Sequence, residues 1–481
     1  MPTIEVPTHQ YLEGYDSEST TSLGDHRQQD HLAPMTSLFA EDPTEDIFEP
    51  YQPKSYWKFV RGIRVGRLDS FKIGLSMGTV LALSIATLWY ALNPPIMGLP
   101  SYYVSAPIFY ANFLFFFPIL CWAAVLFFFE RYSVPYHIVL GLKGRLITSI
   151  QVFKNALVLA NLWLGSFFLF TLGTRNHLTL DLLGLYTIHV PSTIFTAVNY
   201  ISLLIYIWPI RGFHRSSRRV LLKDLATILV GPFAVPFFRR TLVADITTSL
   251  VIPLRLFAEG TCLVVTGGLF TFTATKRQPI CITLAPLLSD VVSVLPYLWR
   301  FLQCSSQTYR MPSHRQKLLP ILNTCKYLTC IVAVAVSGTI SVFEDAGMVT
   351  SAPVVAVKLG MVCCSTIYCY VWDVLCDWGL FTIDHGRIRF RELLYPSKIP
   401  YLIIPVTNII LRFAWALTLT PHGLWPYPQT LNLILGALEL VRRFVWVAFR
   451  AENQVAQLRS QRRQEMVQGV DSAPLLGSVA E

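Results

Sequence analysis

Apolar runs of about twenty residues recur along this chain, and no other feature constrains its fold as strongly. A hydrocarbon core of about 30 Å takes roughly twenty helical residues to cross, and inside it only helices or closed barrels satisfy every backbone N–H and C=O. Such runs can be marked at 73–93, 107–129, 150–172, 186–209, 243–270, 282–303, 323–343, 353–377, 401–420 and 430–449. Only 14% of the 481 residues are charged, against about a quarter in soluble domains. The expected fold class is an all-α polytopic membrane protein with about ten transmembrane helices. A soluble enzyme held by one anchor is excluded.

The formal charge of +10 is placed as a lipid bilayer requires, not as nucleic acid would. Segments 130–148, 210–242, 304–322 and 378–400 carry clusters such as Arg215, Arg218, Arg219 and Lys223, or Arg387, Arg389 and Arg391. The alternating segments 93–106, 344–352 and 421–430 contain no Lys or Arg, and Lys276 with Arg277 in 271–281 is a local exception. Positively charged loops stay on the cytosolic side, so both termini are expected there and the number of spans should be even. Residues 1–53 are polar and acidic, the composition of a disordered cytosolic tail. Residues 54–229 are expected to hold a basic, aromatic juxtamembrane stretch and the first four spans. The last six spans fall in 230–455, and 456–481 forms a cytosolic C-terminal tail. Within this layout Ser217–Pro236 has the pattern of an amphipathic helix lying in the interface. The ten cysteines lack the paired spacing of a zinc site and are assigned no chemistry.

The chemistry lies in charges inside the apolar runs, where each costs roughly 2.5–3.5 kcal/mol at mid-bilayer unless paired or wetted. Asp373 and Asp377 close the run from Val354, and on a helix their spacing puts them on one face. Arg300, Lys326, Arg412, Arg442 and Arg443 supply cations from other runs, and Asp245 and Glu439 further carboxylates. Cations outnumber carboxylates slightly, which suits a cavity that binds an anion yet lets it leave. The arginine fork matches phosphate oxygens in pairs of hydrogen bonds, so phosphate is favoured over chloride. Lys154, Arg255, Glu259, Asp290 and Lys358 are expected to snorkel or to pair structurally. No nucleophile elbow, metalloprotease, Walker or dinucleotide pattern is present. Asp384-His385 and His422, the one catalytic combination near a boundary, have the look of ordinary loop residues. The chain is expected not to be an enzyme and to need no metal or cofactor.

Six blocks carry a resemblance. Phe237–Leu250 (FFRRTLVADITTSL), Trp299–Cys304, Asn323–Tyr327, Trp372-Asp373 with Asp377–Phe381, Leu411–Trp415, and Glu439–Trp446 with Arg450–Asn453 resemble, in order, the EXS domain of the eukaryotic phosphate exporters. The resemblance implies a phosphate path lined by Asp245, Thr248, Ser249, Arg300, Lys326, Tyr327, Asp373, Asp377, Arg412, Glu439, Arg442 and Arg443, with Trp415 as its gate. Thr248 stands where the exporters have Asn, and Ser305-Ser306-Gln307 replaces a basic cluster. About seventy residues precede the first span, too few and too acidic for the SPX domain of the plasma-membrane exporters. This is similar to the Golgi branch, and it implies export of phosphate from Golgi lumen to cytosol, in support of glycosylation and of glycosyltransferase retention. The plasma membrane or another endomembrane is the alternative location. The competing function is a non-transporting adaptor that sorts glycosyltransferases through vesicle adaptors, with Asp471–Leu476 as its acidic dileucine signal. A second copy of the chain is kept as a further partner.

Overall fold

The computed structural model describes residues 66–92, 100–132, 134–142, 147–176, 179–182, 186–189, 191–209, 215–230, 237–266, 279–345, 351–384, 387–391, 393–395, 397–419 and 428–471. From Phe71 onward they belong to one unit, and 66–70 to another. The expected disordered tail and the acidic dileucine pattern lie outside the described residues, apart from Asp471. The helices are α1 (Arg67–Leu92), α2 (Pro100–Arg131), α3 (Tyr136–Val139), α4 (Ser149–Asn176), α5 (Thr193–Ile207), α6 (Arg215–Val230), α7 (Phe238–Thr247), α8 (Val251–Val265), α9 (Pro279–Arg310), α10 (His314–Asp345), α11 (Ala352–Trp372), α12 (Ile399–Arg412) and α13 (Pro428–Asp471). Two antiparallel hairpins complete the described elements: β1 (Thr179–Leu182) with β2 (Tyr186–His189), and β3 (Phe381–Asp384) with β4 (Arg387–Phe390).

Among the described residues six helices are long and apolar enough to cross a membrane, or seven if the bent pair α7–α8 is one span. The chain is thus a multi-pass helical membrane protein, and the count of ten and the cytosolic termini remain expectations. Three of the expected runs differ in form. The run 186–209 begins as strand β2, and α5 has only 15 residues, about 22 Å at 1.5 Å per residue, less than a full hydrocarbon thickness. The run 243–270 is broken by a 60° bend between α7 and α8. The run 430–449 is one part of the 44-residue α13, and there Glu439, Arg442 and Arg443 interrupt the apolar character. Ser217–Val230 is helical as expected, within α6, and Asp224 on it is buried and ion-paired with Arg239 (2.7 Å) and Arg240 (3.5 Å) at the start of α7.

Helices α2 and α13 are the spine. Phe109, Leu114, Phe170, Leu256 and Leu440 join α2, α4, α8 and α13 in one buried cluster. Phe129, Phe238, Trp378, Tyr395, Tyr401 and Phe449 join α2, α7, α12 and α13 in another. Gly436 makes the first cluster tight: a Cβ there would meet Leu114 Cδ1 at 2.7 Å, so the glycine admits α2 against α13.

The cysteine expectation needs a correction. Cys262 near the end of α8 and Cys281 near the start of α9 form a disulfide. Neither had a paired spacing to suggest it, because the partner sits 19 residues away in sequence. The bridge ties the end of α8 to the start of α9.

Candidate functional site

Three spans in the second half lose regular helix, each where its sequence turns polar. Between α7 and α8 the chain turns at Thr248–Leu250. Thr247 and Thr248 donate their hydroxyls back to the carbonyls of Ala244 and Asp245, each at 2.7 Å. Carbonyls that the break would strip of partners are thereby satisfied without water. Pro253, in the first turn of α8, has no N–H to leave unpaired there. Helix α11 widens into a π-helical turn at Asp373–Asp377, the kind of insertion that re-aims side chains at functional sites. Helix α12 stops at Arg412 and continues as a 3₁₀ segment, Ala414–Leu419. The unbroken α13 passes these breaks, carrying Glu439, Arg442 and Arg443.

One group of charges gathers on Asp245. Arg300 of α9 approaches its Oδ1 at 2.7 Å, and the Tyr327 hydroxyl of α10 donates to the same atom at 2.5 Å. Arg300 also donates to Gln303 Oε1 at 2.5 Å, so a carboxylate, a phenol and an amide surround one guanidinium. Lys326, the neighbour of Tyr327, is 6% exposed. Its ammonium stands 4.4 Å from the Tyr327 ring centre and 5.0 Å from that of Trp372. Among the described residues it makes no hydrogen bond and touches no carboxylate. Two aromatic faces hold it, worth about 2 kcal/mol or more each when desolvated.

A second group gathers on Asp373. Arg412 donates to Oδ2 through Nη2 at 2.5 Å and Nε at 3.0 Å, Asn408 adds its amide at 3.0 Å, and Arg442 lies at 3.6 Å. Arg442 forks onto Glu439 at 2.5 and 2.7 Å and also donates to Asn408 Oδ1 at 3.2 Å. Arg443 is held differently. It donates to the hydroxyls of Ser249 (2.7 Å) and Thr248 (3.0 Å), lies over Trp446, and reaches Glu439 only at 4.0 Å. Ser249 donates its own hydroxyl to Glu439 at 2.6 Å.

The two groups are contiguous. Asp245 belongs to the first and Thr248 and Ser249 to the second, all at the α7–α8 break, while Trp372 touches Lys326 and the next residue, Asp373, binds Arg412. Five cations and four carboxylates, with Asp377, come from α7 to α13. The space is closely filled: a cavity lined by Trp378, Asn408, Leu411 and Arg442 has about 20 Å³, room for one water.

Asp377 departs from the one-face expectation. Arg450 lies 3.7 Å away, and its carbonyl accepts from Asn453 at 3.0 Å, so among the described residues it shares no hydrogen-bond or ion-pair partner with Asp373. Trp415 follows Arg412 on the 3₁₀ segment, its ring 6.0 Å from that of Phe413. Its buried indole N–H has no hydrogen-bond partner among the described residues. Sequence reasoning missed Asn408 and Gln303. An amide in the middle of the run 401–420 was the available signal for Asn408. It also missed Glu452, fully buried, which pairs with Arg391 at 3.0 Å and accepts from Tyr401 and from the Leu394 N–H.

A model of the EXS family matches residues 105–456. The chain is 28% identical over 473 residues to "SPX and EXS domain-containing protein 1" of Dictyostelium discoideum, covering 89% of this chain and 48% of that one. It is 27% identical over 401 residues to "Phosphate transporter PHO1 homolog 8" of Arabidopsis thaliana, covering 80% and 50%. It is 28% identical over 262 residues to "Solute carrier family 53 member 1" of Homo sapiens, covering 51% and 36%. The chain therefore spans half or less of the length of these relatives.

Proposed function

This chain belongs to the EXS family, and from that membership and the ion network above we propose that it exports inorganic phosphate across its membrane, from Golgi lumen to cytosol. The observation that carries the reading is the unequal pairing of the buried cations. Arg300, Arg412 and Arg442 are each matched to a carboxylate, whereas Lys326 touches only aromatic faces, with the carboxylates of Asp377 and Asp245 within its field but not in contact, and Arg443 touches chiefly hydroxyls. Those two cations are available to an anion. The hydroxyls of Ser249 and Thr248 are neutral acceptors for Arg443, weaker than the anionic oxygens of phosphate, so a phosphate exchanges for them readily. The carboxylates of Asp245, Asp373, Asp377 and Glu439 hold the other cations in place and limit the grip on the anion, which conduction requires. Tyr327 shapes the seat of Lys326, and Trp415, beyond Arg412, is the gate. The breaks at 248–250, 373–377 and 413 are where the lining can move without losing regular helix elsewhere.

The relative named a phosphate transporter supports the substrate. The Golgi assignment rests on the family resemblance and on Asp471–Leu476. Retention of glycosyltransferases follows, in this reading, from the supply and removal of phosphate in the lumen. The test is flux of labelled phosphate in proteoliposomes holding the full chain, with sulfate and chloride as competitors. Phosphate-selective flux is expected, and Arg443→Gln is expected to remove it while leaving the protein folded. Flux-free liposomes from well-folded protein would overturn the reading and favour the sorting adaptor, which removal of 471–481 would then disable. Co-localisation of the tagged chain with Golgi markers checks the compartment.

A further inference from the structure

Cys330 of α10 and Cys369 of α11 face each other with sulfurs 3.5 Å apart, in van der Waals contact but not bonded. Ser365, one turn earlier on α11, donates its hydroxyl to the Cys330 sulfur at 3.4 Å. The position of the pair is informative. Cys330 lies four residues after Lys326, and Cys369 four residues before Asp373, so each thiol sits one turn from a charged residue of the site and on the same side of its helix. The α10–α11 seam is thus built of the Tyr368 hydroxyl on the Leu322 carbonyl (2.7 Å), Lys326 on Trp372, and then the two thiols. Neither cysteine is bonded to another sulfur.

We propose that Cys330 and Cys369 form an oxidisable pair whose disulfide pins α10 to α11 and arrests the seam between Lys326 and Asp373. The reaction balances with a peroxide as oxidant. One thiolate attacks a peroxide oxygen, giving a sulfenic acid and releasing one water. The second thiol displaces the sulfenic oxygen as another water, so two S–H bonds and one O–O bond are exchanged for one S–S bond and two O–H bonds. A small dithiol reverses it by exchange. The sulfurs must close by about 1.5 Å to reach a bond of about 2.05 Å, a movement of the same helices that carry Lys326 and Asp373. In contrast to the bridge already formed between Cys262 and Cys281 at the ends of α8 and α9, this pair sits within two spans and is reduced, so it has two states to choose between.

The test uses the purified full-length protein in liposomes, treated with hydrogen peroxide and then with dithiothreitol. The site is judged without any transport assay, by alkylation and peptide mass spectrometry. A linked Cys330–Cys369 peptide is expected, absent in Cys330→Ser and in Cys369→Ser, present in Cys363→Ser, and lost on reduction. Thiols that both stay alkylatable, or a link from Cys330 to another cysteine, would overturn the assignment. The switch is judged by phosphate flux, and this arm alone rests on the export reading. Peroxide is expected to reduce wild-type flux to that of protein-free liposomes, dithiothreitol to restore it, and either serine variant to resist. A link that forms with flux unchanged would overturn the arrest. Absence of flux before any oxidation would instead defeat the export reading, with the cross-link still deciding the site.

Discussion

The α2–α4–α5 seam and the network from α7 to α13 bury polar groups in opposite ways. In the first, Asn112 of α2 donates to the Asn199 carbonyl of α5 at 2.8 Å, Asn199 donates to Ser166 of α4 at 2.6 Å, and Thr196 donates to Ser105 at 3.0 Å. These are neutral groups on helices α2, α4 and α5, and they hold those helices together. In the network the buried groups are ionised, and they lie where α7–α8, α11 and α12 lose regular helix. A neutral hydrogen bond between straight helices has one useful state, because an unpaired amide in hydrocarbon only costs energy. An ion network across broken helices can exchange partners, provided another ion arrives. The seam has the character of a scaffold, the network of a site.

The largest effect should come from removing the acceptor that three donors share. Asp373→Ala leaves Arg412, Arg442 and Asn408 facing one another, and a broken buried pair costs about 3–5 kcal/mol. The unfolding midpoint of the detergent-solubilised protein should fall sharply. Combining it with Arg412→Ala should recover part of the loss, since the second change removes an uncompensated charge. If Asp373→Ala alone moved the midpoint no more than an exposed surface change, the network would not be holding α7 to α13 together.

Much of this contrast was visible in the sequence, and the physics of hydrocarbon explains which part. Charges at Asp245, Arg300, Lys326, Asp373, Arg412, Glu439, Arg442 and Arg443 stand out because each is expensive in an apolar run unless it meets another, and the structure brings all eight into two adjoining groups. Neutral partners do not stand out. Asn408 bridges Asp373 and Arg442, yet nothing in its own run separates it from Asn112 or Asn199, which have only neutral partners. The breaks were equally hidden. Thr248-Ser249-Leu250 contains neither Gly nor Pro, and the bend exists because threonine hydroxyls can replace helix bonds. The expected span 186–209 failed for a related reason: apolar composition does not separate a short strand followed by a 15-residue helix from a single span.

Smaller effects test the scaffold side. Asn199→Ala keeps the main-chain acceptor of Asn112 but removes its side-chain acceptor and the donor to Ser166, and leaving such groups unsatisfied costs about 1–3 kcal/mol. Stability should fall by that amount while phosphate flux per folded molecule stays unchanged; a loss of flux beyond the loss of folded protein would erase the division between seam and network. Gly379→Ala probes the other side of the boundary. Gly379 holds φ at +52°, and a Cβ there would lie 3.1 Å from Asn453 Oδ1. The left-handed conformation alone costs about 1–2 kcal/mol for a residue with a Cβ. The same Asn453 holds the Asp377 carbonyl, so this change should lower both the midpoint and the flux.

The smallest expected change in stability is the one that separates seam from network most sharply. Lys326→Met keeps the length and apolar stem of the side chain and removes an ammonium that touches no carboxylate among the described residues. The protein loses two cation–π contacts and gains by no longer desolvating a charge. Replacing buried charge by a well-packed apolar group is often neutral or stabilising, so the midpoint should hold or rise, and the methionine sulfur can still lie against Tyr327 and Trp372. A scaffold residue behaves in the reverse way, its removal costing stability and nothing else. Phosphate flux through Lys326→Met should nevertheless fall to background, and Lys326→Arg should keep part of it by restoring the charge. A variant that was destabilised yet still carried phosphate would move Lys326 to the scaffold side and leave Arg443 as the only buried cation open to the anion.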